Sequence, residues 1–127
     1  MIRALIPCAL VLSACAPVTP IDPAEDGTVV CDITVSFGSY AMGVDHELKT
    51  RIQALVAADG GVDDTEERPW GREGESNLCI QASSPVHADR LFNQIAAMIP
   101  ETSERAPTTV THRDGRSDAA GPPPDWN

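Results

Sequence analysis

The sequence predicts a small α+β domain, an antiparallel sheet of four strands with two helices packed on one of its faces. Three observations support this prediction. The segment "VVCDITVSF" at residues 29–37 alternates apolar and polar side chains, as a half-buried strand does. Two later segments repeat apolar residues at helical spacing. Short β-prone runs lie between and after them, separated by turns that contain Gly or Pro. The resulting order is β-α-β-β-α-β over residues 28–113.

The first half of the domain is expected to contain one strand and one helix. The buried face of the strand carries Val29, Cys31, Ile33, Val35 and Phe37. Asp45 is the expected N-cap of the helix that follows. The apolar stripe of that helix is formed by Leu48, Ile52, Leu55 and Val56, and Gly60-Gly61 ends it.

The second half supplies the second helix and three further strands. "VDDTEERPW" (62–70) is a weak polar strand that Pro69 confines to a sheet edge, and "NLCIQA" (77–82) follows the turn "GREG". Ser84-Pro85 begins the second helix, whose stripe is Ala88, Leu91, Phe92, Ile95 and Ile99. "PTTVTHR" (107–113) is the last strand, and residues 114–127 are predicted to be a disordered Pro-rich tail. This order resembles the ferredoxin-like split βαβ fold, with strand order 4-1-3-2.

The N-terminal residues predict a membrane anchor. Arg3 precedes the apolar segment 4–14, which is too short to span a bilayer but suits a cleavable signal peptide. It ends in Leu12-Ser13-Ala14-Cys15, which resembles the lipobox of bacterial lipoproteins. The resemblance implies that residues 1–14 are removed, that Cys15 is lipidated, and that residues 15–27 form a Pro-rich tether. Ala16 after the cysteine, where Asp often marks inner-membrane retention, favours the outer membrane, facing the periplasm. An ordinary secretory signal is the alternative.

Charge and motifs argue against several classes of function. Without residues 1–14 the chain has 8 basic and 19 acidic residues, a net charge of −11, which disfavours nucleic acid and anionic headgroups as partners. "GSYAMG" lacks the Lys and the spacing of a phosphate-binding loop, and alternation scatters the carboxylates of "DDTEE" over two faces. His46 and His87 fall at opposite ends of the predicted fold, and His112 is expected at the surface. The sequence predicts no cofactor, no metal site and no enzymatic activity.

Cys31 and Cys79 are the two cysteines left after processing and lipidation, and they are expected to form a disulfide. Strand alternation conflicts with this pairing, because it puts Cys31 on the apolar face and Cys79 on the solvent face. Either a β-bulge, for example near Gly74 to Asn77, changes the parity, or the two thiols stay apart.

The predicted topology brings two Gly-containing segments to one end of the sheet, residues 37–46 and residues 68–75. Aromatic residues, Met and Arg are enriched at protein interfaces. These segments therefore give a candidate partner-binding site formed by Tyr40, Met42, Asp45, Trp70, Arg72 and Glu73. The alternative is that the second segment is only a turn.

The expected function is that of a lipid-anchored envelope protein whose domain is a binding or accessory module acting through protein–protein contacts. An inhibitor or immunity-type protein that blocks a secreted or periplasmic enzyme, with a basic surface on its partner, is the alternative. A small enzyme is the least favoured reading. Two further surfaces stay open as contact sites: the sheet face that carries Asp32, Thr34 and Ser36, and the tail that ends in Trp126.

Overall fold

The computed structural model describes residues 30–125. The elements in this range are β1 (Ile33–Phe37), α1 (His46–Ala58), β2 (Val62–Pro69), β3 (Ser76–Ala82), α2 (Pro85–Met98), β4 (Thr108–His112) and β5 (Ser117–Ala119). The predicted signal peptide, Cys15 and the tether lie outside the described residues, as does Trp126. Within residues 30–125, no helix is both long and apolar enough to cross a membrane.

The sheet has five antiparallel strands in the order β2-β3-β1-β4-β5. The predicted α+β class is confirmed, whereas the predicted number of four strands is wrong. The fifth strand, β5, pairs with β4, and the pairs run from Thr109 with Ala119 to Thr111 with Ser117. Because β5 lies in the segment 114–127, the prediction of a disordered tail is also wrong for this part of the chain. Ala120, just after β5, is buried.

The β4–β5 hairpin follows from the pair Asp114-Gly115. Gly115 has a φ of +98°, a region that glycine enters without a steric penalty. Its N–H bonds to the His112 carbonyl oxygen at 2.9 Å, and the His112 N–H bonds to the Arg116 carbonyl oxygen at 2.8 Å. Three-residue hairpin loops commonly have this geometry. An Asp-Gly pair beside a β-prone run is a hairpin signal, and it accounts for the strand β5 that the predicted fold lacks.

Both helices pack on one face of the sheet. The apolar residues of β1 share one phase, and they pair in register with the inward residues of β3, as Ile33 does with Ile80. The largest fully buried side chains of the core include Phe37, Ile33, Ile52, Ile80, Leu91, Ile95, Val35, Val44 and Val110. Both predicted N-caps are present: the Leu48 N–H donates to Asp45 Oδ1 at 3.0 Å, and the His87 N–H donates to Ser84 Oγ at 3.2 Å.

A Cys31–Cys79 disulfide is present, on the face of the sheet away from the helices. Cys79 lies opposite Thr34, on the outer phase that alternation predicted for it. Cys31 is the residue whose predicted position is wrong, because β1 begins only at Ile33 and Asp32 forms a bend. The parity therefore changes before β1. The register between β1 and β3 is regular, so the suggested bulge near residues 74–77 does not occur.

Asp32 holds this bend in place. Its N–H donates to the Ile80 carbonyl oxygen at 3.0 Å, and its Oδ2 accepts from the Ala82 N–H at 2.9 Å. Its Oδ1 pairs with the Arg113 guanidinium at 2.9 Å. The side chain thus ties the start of β1 to the end of β3 and to the β4–β5 hairpin, which leaves Cys31 beside the outer face of β3.

Asp59 joins the C-terminal end of α1 to α2. Its buried carboxylate accepts from the Gly61 N–H at 2.8 Å and pairs with Arg90 at 2.8 Å. The Gly61 N–H, assisted by Arg90, lowers the pKa of Asp59 and outweighs the opposite effect of burial. The ionised form of Asp59 therefore stabilises the fold.

The free energy of unfolding is expected to fall between pH 7 and pH 3. In Asp59→Asn this fall is expected to be smaller than in the unmodified chain. Because the folded pKa lies below the unfolded value of about 4, the carboxylate contributes stability above that value. This contribution disappears as the pH falls through the folded pKa. Urea unfolding of both proteins at both pH values measures the difference. Asp118→Asn, which removes an exposed carboxyl from β5, is the matched control. An unchanged pH dependence in Asp59→Asn would contradict the assignment.

Candidate functional site

Two loops meet at the end of the sheet where β1 and β2 terminate. We define the loop cluster as residues 38–45, between β1 and α1, and residues 70–75, between β2 and β3. A β-carbon built on Gly43 would lie 3.8 Å from the Glu73 carbonyl oxygen. A β-carbon built on Gly74 would lie 3.9 Å from both Val44 Cγ2 and His46 Cε1. The structure therefore brings together the two segments that the sequence placed at one end.

The first loop is held by backbone hydrogen bonds at its start and strained in its middle. The Gly38 N–H donates to the Pro107 carbonyl oxygen and the Tyr40 N–H to that of Arg105, each at 3.1 Å. Ala41 has a φ of +80°, which costs an L-residue roughly 1–2 kcal/mol. The hydroxyl of Ser39 accepts from the Ala41 N–H at 3.0 Å and so supports this conformation.

The strained loop projects Met42 into solvent. The Gly43 N–H also donates to Ser39 Oγ, at 2.9 Å, so that one hydroxyl fixes the backbone on both sides of Met42. Met42 is 79 % exposed. Backbone strain that persists in a native fold is concentrated at functional positions. An exposed apolar side chain at the tip of such a loop is a candidate contact point.

The second loop is organised around the carboxylate of Glu75, which is only 8 % exposed. The Glu73 N–H donates to Glu75 Oε2 at 2.7 Å. A β-carbon at Gly71 would collide with the same carboxylate, so glycine permits the close approach. The Trp70 N–H donates to the Glu75 carbonyl oxygen at 3.1 Å. Glu75 therefore fixes the loop from inside.

Trp70 is anchored on one side and exposed on the other. Its indole Nε1–H donates to Asn77 Oδ1 at 3.0 Å, and 57 % of the residue is exposed. A tryptophan held by its N–H with an open ring face is a common form of interface residue. The two exposed large apolar residues of the loop cluster, Met42 and Trp70, thus lie on adjacent loops with fixed backbones.

The other predicted site residues lie in the same cluster but differ in role. Arg72 and Glu73 are exposed, and Tyr40 is half-buried. Asp45 is committed to capping α1, because its Oδ1 accepts the Leu48 N–H. Asp45 therefore fixes where the loop joins α1. His46 lies beside this cluster, whereas His87 packs against Gly61 at the other end of the domain.

His112 was expected at the surface, but it is buried between α2 and the β4–β5 hairpin. Its Nδ1 accepts from the Asp114 N–H at 3.1 Å, and its Nε2 lies 3.3 Å from Asp89 Oδ1. The ring stands edge-on to Phe92, with 5.7 Å between the ring centroids. Arg116 pairs with both Asp89 and Asp114 and lies over the Phe92 ring.

Asp89, His112 and Asp114 have the residue types of a metal site, and one ligand atom from each lies within 4.8 Å of the others. Two features disfavour this role. The Nδ1 lone pair of His112 already accepts from the Asp114 N–H, so it is not free to bind an ion. The Arg116 guanidinium already neutralises both carboxylates. The cluster is therefore best described as an ion-pair network that joins the β4–β5 hairpin to α2.

The loop cluster forms a small apolar surface with charged neighbours on a constrained backbone. Such a surface suits recognition of another protein more than the binding of a small molecule. In comparisons with known proteins, no family model, no curated protein and no solved structure matches this chain.

Proposed function

We propose that this chain is a lipid-anchored protein of the bacterial cell envelope, whose domain binds another protein through the loop cluster. The lipobox Leu12-Ser13-Ala14-Cys15 supports the anchor, and Ala16 favours the outer membrane facing the periplasm. The domain acts as a binding or accessory module and not as an enzyme. Its first four strands, in the order β2-β3-β1-β4, support a ferredoxin-like fold to which β5 is an addition.

The observation that carries this proposal is the exposure of Trp70 and Met42 on adjacent, internally bonded loops. Burying a tryptophan and a methionine against a partner is favourable by about 25 cal/mol for each Å² of apolar surface removed from water. Because both loops are already ordered, less conformational entropy is lost on binding than for flexible loops. More of the free energy of apolar burial at these loops is therefore available for binding the partner.

A second candidate function is inhibition of a secreted or periplasmic enzyme. The processed chain has a net charge of −11, which would accelerate association with a basic enzyme. This candidate differs from the first in one measurable property. An inhibitor of a basic enzyme associates much more slowly as the salt concentration rises, whereas an apolar contact responds weakly to salt.

Photo-crosslinking in the native envelope tests the proposal. A photoreactive phenylalanine analogue at position 70 is expected to give a discrete adduct with one partner, which mass spectrometry identifies. The same probe at Gln94, exposed on α2, is the control and is expected to give none. Cys15→Ser is expected to release the chain from the membrane fraction and to weaken the adduct. Equal or absent adducts at positions 70 and 94 would refute the loop cluster as a partner site.

A further inference from the structure

A groove with a volume of about 420 Å³ separates the second half of α1 from β2. Apolar side chains of Val56, Val62 and Leu78 line it, and each of them packs into or against the hydrophobic core. The exposed carboxylates of Asp63 and Asp64 stand on the β2 side. The groove therefore combines an apolar interior with a negative border.

Beside this groove, β2 has a free edge. In the described range, 30–125, β2 pairs with β3 alone and ends the sheet. It is eight residues long, and residues 63–69 are all exposed. One edge of its backbone therefore presents C=O groups and part of its N–H groups to another strand. Two N–H groups are not available, because the Thr65 N–H already donates to Asp64 Oδ1 at 2.9 Å and Pro69 has no N–H.

The charges on β2 determine which kind of strand fits. Glu66 pairs with Arg68, and Glu67 pairs with Lys49. Asp63 and Asp64 form no ion pair within the described residues, so the net negative charge of the edge comes from these two. Like charges opposed across two strands are destabilising. A second copy of β2 is thus disfavoured as the occupant, whereas a strand that carries Lys or Arg is favoured.

The N-terminal part of the chain itself has the wrong charge for this edge. Residues 16–29 contain Asp22, Glu25 and Asp26 and no basic residue. Pairing them with β2 would oppose acidic side chains to acidic side chains. The complementary occupant is therefore a segment of another protein.

We propose that the β2 edge accepts an extended basic segment of a partner protein as a sixth strand of the sheet. Main-chain hydrogen bonds to β2 provide the pairing, Lys or Arg side chains lie near Asp63 and Asp64, and one apolar side chain enters the groove. This site is separate from the loop cluster and does not depend on the role proposed for Trp70. The two proposals can therefore fail independently.

Peptide binding to the full chain tests this proposal. The probe is a fluorescently labelled peptide of alternating Lys and Val, seven residues long, measured by fluorescence anisotropy. We expect saturable binding that Asp63→Asn/Asp64→Asn weakens roughly fivefold or more, from the loss of two cross-strand charge pairs. The control Glu101→Gln/Glu104→Gln removes the same charge from exposed positions outside the groove and is expected to bind as the unmodified chain does.

Two further peptides separate strand addition from simple charge attraction. The same peptide with alternate backbone nitrogens methylated keeps its charge but cannot form the strand hydrogen bonds, and it is expected not to bind. A Glu-Val peptide of the same length is also expected not to bind. If the methylated peptide binds as tightly as the parent, or if both double variants bind equally, the proposal is wrong.

Amide hydrogen exchange of the full chain locates the site and tests the other occupants. The Lys-Val peptide is expected to slow exchange in residues 62–69, while exchange in β5 stays unchanged. Protection of residues 62–69 before peptide is added, in a monomeric sample, would show that the chain's own segment occupies the edge. Protection that appears with dimerisation would show a second copy there. Either result would overturn the proposal.

Discussion

Replacing Cys31 and Cys79 together by alanine is expected to lower the free energy of unfolding by about 4 kcal/mol. The disulfide joins residues 48 positions apart, so it removes a large part of the conformational freedom of the unfolded chain. Domains of this size are marginally stable, often by only 5–15 kcal/mol in total, so the loss is a large fraction. Urea unfolding of the double variant and the unmodified chain measures it.

The reduced, unmodified chain is the control for this prediction. Alanine removes two sulfur atoms as well as the bond between them, and Cys79 is mostly buried. If the bond dominates, unfolding in the presence of a reducing agent gives nearly the same midpoint as the double variant. A loss below about 1 kcal/mol in both samples would contradict the expected constraint on the unfolded chain.

Phe37→Ala is expected to cost about 3–5 kcal/mol of stability. Phe37 is completely buried at the end of β1, directly before the loop cluster. The Lys49 ammonium group lies over its ring, with the Nζ atom 5.4 Å from the ring centroid. Truncation leaves a cavity in the core at the end of β1 and removes this cation–π contact. Urea unfolding at neutral pH gives the size of the loss.

Phe37→Leu separates packing from the cation–π contact. Leucine fills most of the space but has no aromatic face, so a smaller loss than in Phe37→Ala is expected. The loss of stability caused by Phe37→Leu is then measured a second time in a chain that carries Lys49→Met. It is expected to be smaller there, because no cation is left to contact the ring. Equal losses for the alanine and leucine variants would show that cavity formation is not the main cost.

Local signals in the sequence were sufficient for most of the fold. Asp45, and Ser84 followed by Pro85, are strong helix starts, and both caps are present because capping depends on neighbouring residues. The position of Pro69 indicated an edge strand correctly. The missed strand β5 had a signal as well, in Asp114-Gly115, but its polar composition resembled that of disordered segments.

The position of Cys31 shows where alternation stops being informative. Period-2 patterning assumes that the strand is continuous, and "VVCDITVSF" gives no warning that Asp32 bends the chain. That bend is stabilised by contacts with Ala82 and Arg113, which are distant in sequence. A local pattern cannot contain this information, because the stabilising partners come from other strands.

The candidate site could be predicted only in part, because some of its contacts also depend on residues that no local pattern brings together. Topology alone brings residues 38–45 and 70–75 to one end of the sheet, and the structure has them there. The inward turn of Glu75 and the burial of His112 depend on side-chain contacts that no spacing reveals. The glycine four residues before Glu75 is the one sequence feature that could have suggested the close approach.

The two borders of the sheet are unequal, and this has a consequence for assembly. On one side β2 is eight residues long, whereas on the other β5 has three. The chain beside β5 is further covered, because Gly121 exchanges backbone hydrogen bonds with Glu101 and Ser103 at 2.9 Å each. Within residues 30–125, β2 is therefore the longer free border for the strand addition proposed above. The proposed strand addition would then join one partner segment to each molecule and end there, without growth into filaments.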